Sequence, residues 1–157
     1  MHLLGRAPIH PLLFYSGKIA GYITWLLLIL LVLEIDVVDR ISFPFSDGIA
    51  MALFLVGSGL ILVSIINLGG STRLGLPTEA TILKTHGLYK ISRNPMYLGI
   101  NLWTLTSIAY SLNLLIIILG IYSIVIYHRI ILGEERFLED RFGQTYLDYK
   151  KIVRRYL

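Results

Sequence analysis

Two polar segments of this chain carry side-chain types that chemistry needs. The first reads Gly87-Leu88-Tyr89-Lys90-Ile91-Ser92-Arg93-Asn94-Pro95-Met96-Tyr97-Leu98-Gly99. An aromatic-containing turn runs into Arg-Asn-Pro, and an uncharged stretch opens directly after it. Pro95 suits the first position of a helix, where its missing N–H costs nothing, and Asn94 suits the cap before it. The exposed N–H groups and positive end of such a helix attract a carboxylate or phosphate. The same pattern also describes an ordinary, well-capped helix. The second segment carries His128, Arg129, Glu134 and Glu135 just beyond another apolar run. Neighbouring residues of a helix point about 100° apart, so one acid is expected to face inward and the other to be a solvated surface charge. Acid, arginine and helix start would together form a polar pocket.

The elements that position these residues belong in a bilayer. Of the 157 residues, 55% are hydrophobic and only 15% charged, and mean hydropathy is +0.72. A soluble domain carries about 25% charged residues. The length predicts one domain, 1–157. Residues 19–33 and 48–68 are uncharged runs, and 94–127 is a third run, of 34 residues. As one helix the third would reach about 50 Å, against a hydrocarbon core of about 30 Å. Two helices with a turn near Tyr110-Ser111-Leu112-Asn113 fit better. The expected fold is therefore an all-α integral membrane protein. Its four transmembrane helices lie at about 18–35, 48–68, 95–110 and 113–131, and the last two form a hairpin. Lys18 and Glu34 can snorkel from the ends of the first span. That span is not a convincing cleavable signal: it starts late, and Glu34-Ile35-Asp36-Val37 follows instead of a small-x-small pattern.

The charges agree with an even number of spans. Four spans put thirteen of the fourteen basic residues on one side, and leave Arg40 opposite among Glu34, Asp36, Asp39 and Asp47. Three spans would send the last seven basic residues to the other side. The positive-inside rule then places both termini and the loop 69–93 in the cytoplasm. The net charge of +4 thus reports topology and no nucleic-acid partner.

On that face, loop 69–93 is too rich in Gly and Pro for a long helix, and Thr81-Ile82-Leu83-Lys84 is expected to be a short extended stretch. Beyond residue 128, a helical rhythm ends at Gly143, a C-cap candidate. Tyr146, Tyr149, Val153 and Tyr156 then mark one aromatic face of an amphipathic C-terminal helix, with basic residues opposite. This surface suits anionic headgroups.

Several classes drop out. The chain has no cysteine, which excludes disulfides, thiolate metal sites, iron–sulfur clusters and cysteine nucleophiles. His2, His10, His86 and His128 lack ligand spacing, so no metal is expected. Gly69-Gly70 with Gly75 is neither a dinucleotide fingerprint nor a phosphate loop. Gly57-Ser58-Gly59 lies mid-span, where small residues let helices approach closely. The spans 48–68 and 94–127 hold no side chain that titrates near neutrality, which weakens an ion-transport reading.

The run GLYKISRNPMYLG, followed after a hydrophobic hairpin by EERFLEDRFGQTYLDYKKIVRRY, resembles the isoprenylcysteine carboxyl methyltransferase family. More distantly it is similar to the membrane phospholipid N-methyltransferases. The likeness covers about 68–156. Asn94 stands where eukaryotic members often have His, and the chain is shorter at its N-terminus than those enzymes. The resemblance implies an S-adenosylmethionine-dependent methyltransferase with a cofactor region over 69–157. It implies cofactor contacts from Leu74, from Thr81, Ile82, Leu83 and Lys84, from Tyr89, from Asn94, Pro95, Met96 and Tyr97, and from Glu134. It also implies a substrate-holding arginine one turn before the acid. Ile130 falls at that position, and its neighbour Arg129 is the candidate.

Those residues suit the cofactor. Helix N–H groups match its carboxylate, Glu134 its amine or hydroxyls, and Tyr89 or Tyr97 its sulfonium. A carboxylate acceptor needs no base, whereas an amine must lose a proton, for which His86 and His128 are candidates. The expected acceptor is lipophilic or lipidated and enters from the membrane, and carboxyl O-methylation of an isoprenylcysteine-like substrate leads. Phospholipid N-methylation, a sterol-type NADPH membrane reductase and a non-enzymatic scaffold are the other readings.

Overall fold

A computed structural model describes residues 7–69 and 82–157. Among them the chain is all-helical: α1 (Pro11–Val32), α2 (Ser46–Leu68), a 3₁₀ turn (Gly87–Lys90), α3 (Pro95–Ser111), α4 (Leu114–Phe142) and α5 (Gln144–Ile152). Three of these, α1, α2 and α4, are long and apolar enough to cross a membrane. The helix α3 has 17 residues, about 25 Å at 1.5 Å per residue.

Local chemistry fixes the boundaries. Pro11 and Pro95 stand in the first turns of α1 and α3. The predicted turn between the last two long helices falls at Leu112 and Asn113, whose side-chain oxygen accepts from Leu115 N at 2.9 Å and caps α4. Gly143, at φ +52°, ends α4 as expected. Two expectations need correction. The helix α1 begins seven residues before 18, so Lys18 lies within it and not at its end. Its ammonium sits 4.0 Å over the Phe14 ring. No strand forms at 82–84 among the described residues, where the chain is irregular, and Thr81 lies outside them.

The helix α2 packs on α3, and α1 packs on α4, with α3 touching both α1 and α4. The interior is unusual for a protein in water. Thr24, Ser64, Thr104, Ser107, Ser111 and Ser123 are completely buried, while Leu62 and Ile66 of α2 are 61% and 75% exposed. Small residues inside and large apolar ones outside suit a bundle whose solvent is lipid. Hydroxyls bond along their own helices, as Thr106 does to Leu102 O at 2.9 Å and Ser111 to Ser107 O at 2.8 Å. Gly57 and Gly99 bring α2 and α3 into backbone contact, since a Cβ on Gly99 would lie 2.6 Å from Gly57 O. Trp103 Nε1 donates to Ser58 Oγ at 3.1 Å across the same seam. Gly57 and Ser58 thus serve helix packing, whereas Gly59 faces open space.

The α1–α2 connection and the α3–α4 turn meet at one end of the bundle. Ile41 N donates to Ser111 O at 2.8 Å, and Asn113 Nδ2 to Asp39 O at 3.0 Å. Arg40 pairs with Asp47 and lies 3.8 Å over the Tyr110 ring. The segment around 87–94, the end of α4 and α5 gather at the opposite end.

Candidate functional site

At that second end, the Arg-Asn-Pro segment and the last residues of the chain are stitched together. Ser92 and Arg154 form an isolated parallel bridge, and Arg93 N donates to Arg154 O at 2.9 Å. Ser92 Oγ donates to Arg155 O at 3.2 Å. Tyr149 of α5 donates its hydroxyl to Tyr89 O at 2.6 Å. Burial holds the Tyr149 phenol up at about 12, so it keeps this proton under ordinary conditions. Tyr146 is buried, with its ring 5.9 Å from that of Tyr149. The aromatic face expected to meet headgroups is therefore spent largely inside the protein, with Tyr146, Tyr149 and Val153 turned inward.

Glu135 is the hub of this end. Its Oε1 accepts from Arg93 Nε at 3.1 Å and Nη2 at 2.8 Å, and its Oε2 from Arg155 Nε at 3.1 Å and Nη2 at 2.9 Å. Asn94 Nδ2 adds a contact to Oε1 at 3.3 Å. Only 3% of Glu135 is exposed. The expectation that one acid of the pair would be a solvated surface charge is corrected, because two bidentate guanidinium groups make burial of this carboxylate affordable. Asn94 is corrected too. Its side chain makes no cap bond to α3, and its amide bonds Glu135 and, at 3.2 Å, Arg155 O. Arg93 completes the clamp by donating Nη1 to Val153 O at 2.5 Å.

Glu134 turns the other way, into the bundle. Its Oε1 accepts from Tyr97 Oη at 2.7 Å. The Tyr97 ring lies 5.8 Å from that of Tyr127, and both pack with Phe14, Ile126 and Ile130. Tyr89 and, from α1, Lys18 lie within electrostatic reach of the Glu134 carboxylate. Burial, and then nearby phenol and carboxylate groups, keep the Tyr89 phenol neutral. One turn along α3 from Tyr97, Asn101 Oδ1 is buried without a hydrogen-bond partner. The fold thus joins Tyr89, Tyr97 and Glu134 in one cluster. It adds Lys18, with Asn101 one turn further along α3; the sequence assigned neither to the site. Asn101 sits four residues after Tyr97 on the same helix face, and that spacing was the available signal.

The remaining candidates are dispersed. Pro95 is buried at the start of α3, with Met96 half-buried beside it. Ile82 is exposed, while Leu83 and Lys84 are half-buried in the irregular segment before the 3₁₀ turn. Leu74 and Thr81 lie outside the described residues. Arg129 is exposed and lies about 140° around α4 from Glu134. His128 Nδ1 is 2.6 Å from Tyr156 Oη, a bond that ties α4 to the chain end. No group of three or more His, Asp or Glu suited to a metal ion occurs among the described residues.

A Dictyostelium discoideum protein named protein-S-isoprenylcysteine O-methyltransferase is 36% identical over 73 residues, which cover 46% of this chain and 31% of that relative. The match therefore spans about a third of the relative's length. No solved structure matches significantly. The family model for phospholipid methyltransferases matches residues 46–145, from the start of α2 into α5, and the chain belongs to that family.

Proposed function

We propose that this protein is an integral membrane methyltransferase that uses S-adenosylmethionine and acts on a lipophilic acceptor. The observation that carries the reading is the Tyr97–Glu134 pair, 2.7 Å apart in a largely apolar setting with an unpartnered Asn101 oxygen on the same face of α3. These oxygens are acceptors for hydroxyl and ammonium donors, and the rings of Tyr89 and Tyr97 are available to a cation. Such a donor set fits the cofactor's ribose, amine and sulfonium. When bound, S-adenosylmethionine supplies the methyl group as an electrophile on sulfur.

The chain's own residues then do three things. Tyr97 holds the Glu134 carboxylate in one orientation, so that a bound amine or hydroxyl meets a fixed acceptor. Phe14, Ile126, Tyr127 and Ile130 restrict water at the cluster. The Glu135 clamp fixes the segment that carries Tyr89 and Asn94 against the end of the chain. Asn94, Pro95 and Met96 enter the cofactor site in this reading as the frame of the α3 start, and Leu74, Thr81, Ile82, Leu83 and Lys84 are its further proposed contacts. Arg129 meets an acceptor only from the outer side of α4.

Carboxyl O-methylation of an isoprenylcysteine-like acceptor is favoured over amine methylation by the position of His128. That ring is engaged by Tyr156, and a carboxylate needs no base. Phospholipid N-methylation is the second reading, supported by the family match. All four long helices span the bilayer in this proposal, with both termini and the site in the cytoplasm. The natural absence of cysteine makes the topology testable. Single cysteines at Lys90 and Arg154 are expected to react with an impermeant reagent from the cytoplasmic side, and one at Asp36 from the other.

The deciding experiment incubates membranes with isotopically labelled S-adenosylmethionine and analyses lipid and protein extracts by mass spectrometry. Label on a prenylcysteine ester supports the first reading, and label on an amine headgroup supports the second. Titration of the purified protein adds a binding test. NADPH binding in place of S-adenosylmethionine, or binding unaffected by Tyr97→Phe and Glu134→Gln, would overturn the proposal.

A further inference from the structure

A second polar feature lies away from the Glu134 cluster. On the outer side of α4 a groove of about 390 Å³ is bounded by Arg129, Arg136 and Asp140, with Pro8, Ile9 and Phe137 among its apolar walls. Arg129 and Arg136 are seven residues apart, two turns of helix, and so share a face. Both are exposed, and among the described residues neither forms an ion pair or hydrogen bond. This contrasts with Arg40, Arg93 and Arg155, each of which has a carboxylate partner.

The wall opposite α4 is built into the fold. Gly133 lies midway between the arginines, and a Cβ there would come within 2.5 Å of Pro8 O. The backbone before α1 is thus seated directly on α4, and the absence of a side chain at Gly133 lets it approach. The formal charge of the lining is +1, from two arginines and Asp140. That balance matches one phosphodiester. The uncharged part of α4 ends at Arg129, so the groove lies where the helix leaves its apolar run. Lipid phosphates sit at that boundary, and Leu132 and Phe137 offer apolar surface to the glycerol and first methylenes.

We propose that this groove binds the phosphate of a monoanionic bilayer phospholipid, with Arg129 and Arg136 as its two ligands. The site is separate from the Tyr97–Glu134 pair, and the proposal does not depend on the methyltransferase reading. A guanidinium fork matches a phosphate in both geometry and charge. Asp140 at the edge of the groove disfavours a second anion.

The test uses the full chain purified in a zwitterionic detergent, with phosphatidylglycerol as the probe. Thermal unfolding is followed against lipid concentration, and native mass spectrometry counts retained lipid. A saturable rise in Tm is expected for the wild type. In Arg129→Gln/Arg136→Gln, half-saturation should need at least about tenfold more lipid, as expected for loss of charge-assisted bonds. Lys151→Gln/Arg154→Gln removes the same charge outside the groove and should respond like the wild type. Should the double groove variant fail to fold, Arg136→Gln alone carries the same comparison. The proposal is overturned if phosphatidylglycerol leaves Tm unchanged, if both double variants weaken the response equally, or if inorganic phosphate reproduces it. Because neither readout involves turnover, failure here is distinct from failure of the proposed activity.

Discussion

Glu134 and Glu135 are neighbours in sequence and belong to different regions of the molecule. Glu135 is closed on both oxygens by guanidinium groups and joins the Arg-Asn-Pro segment to the end of the chain. Among the described residues Glu134 accepts one hydrogen bond, from Tyr97, whose ring packs with Phe14, Ile126, Tyr127 and Ile130. A carboxylate with every lone pair assigned holds structure together. One with capacity left over can hold a ligand. The difference is a rotation of about 100° around one helix.

Five substitutions probe that contrast and the packing around it. The largest effect is expected from Glu135→Ala, which leaves Arg93, with a side chain only 8% exposed, facing no counter-charge. A loss of about 3–5 kcal/mol is expected from breaking a buried pair, read as a fall in Tm. Glu135→Gln should cost less, because it keeps hydrogen-bonding capacity. Next, Gly99→Val drives a side chain into the backbone of α2, where a Cβ already meets Gly57 O at 2.6 Å. A loss of about 1–3 kcal/mol is expected, again by thermal unfolding. Glu134→Gln is the converse of the Glu135 change. Stability should move by under about 1 kcal/mol, while S-adenosylmethionine affinity measured by calorimetry falls at least about tenfold. If Glu134→Gln unfolds the protein and Glu135→Gln impairs only binding, the division between the two acids is reversed.

The smallest effect is expected from Tyr149→Phe, which removes the bond to Tyr89 O for about 1 kcal/mol. It also carries a pH signature. The Tyr149 phenol is raised from 10.0 to about 12. A group with a raised folded pKa contributes stability that is fully present below its unfolded value and is lost as pH rises through the folded one. Wild-type stability from this source should be flat through neutrality and fall between about pH 10 and 12, and Tyr149→Phe should lose that part of the fall. Thermal melts across that range check it.

Much of the architecture was legible because it follows from local rules. Pro95 opens α3, Asn113 caps α4 and Gly143 ends it, each by a constraint that acts within one turn. The length of the uncharged run 94–127 required a break, and the polar residues within it marked the place. The start of α1 was less legible, because Lys18 resembled a boundary. A long side chain can lay its stem and ammonium along Phe14 inside a helix, so a single charge does not end one. Asn94 was misread for a related reason. The residue type suits a cap, and its amide found better partners 41 and 61 residues away.

Sequence alone determined the solvent of this protein, the helical class, the hairpin turn and the two segments in which polar chemistry is concentrated. These depend on composition and on interactions between residues a few positions apart. Tertiary structure decided which acid is structural and which is left with free capacity. It brought Tyr97 and Lys18 to Glu134, and it turned Arg129 outward beside Arg136. Helix periodicity fixes the angle between neighbouring side chains, but the orientation of α4 relative to α1, α3 and the chain end is set by packing. Only that orientation gives each angle a partner.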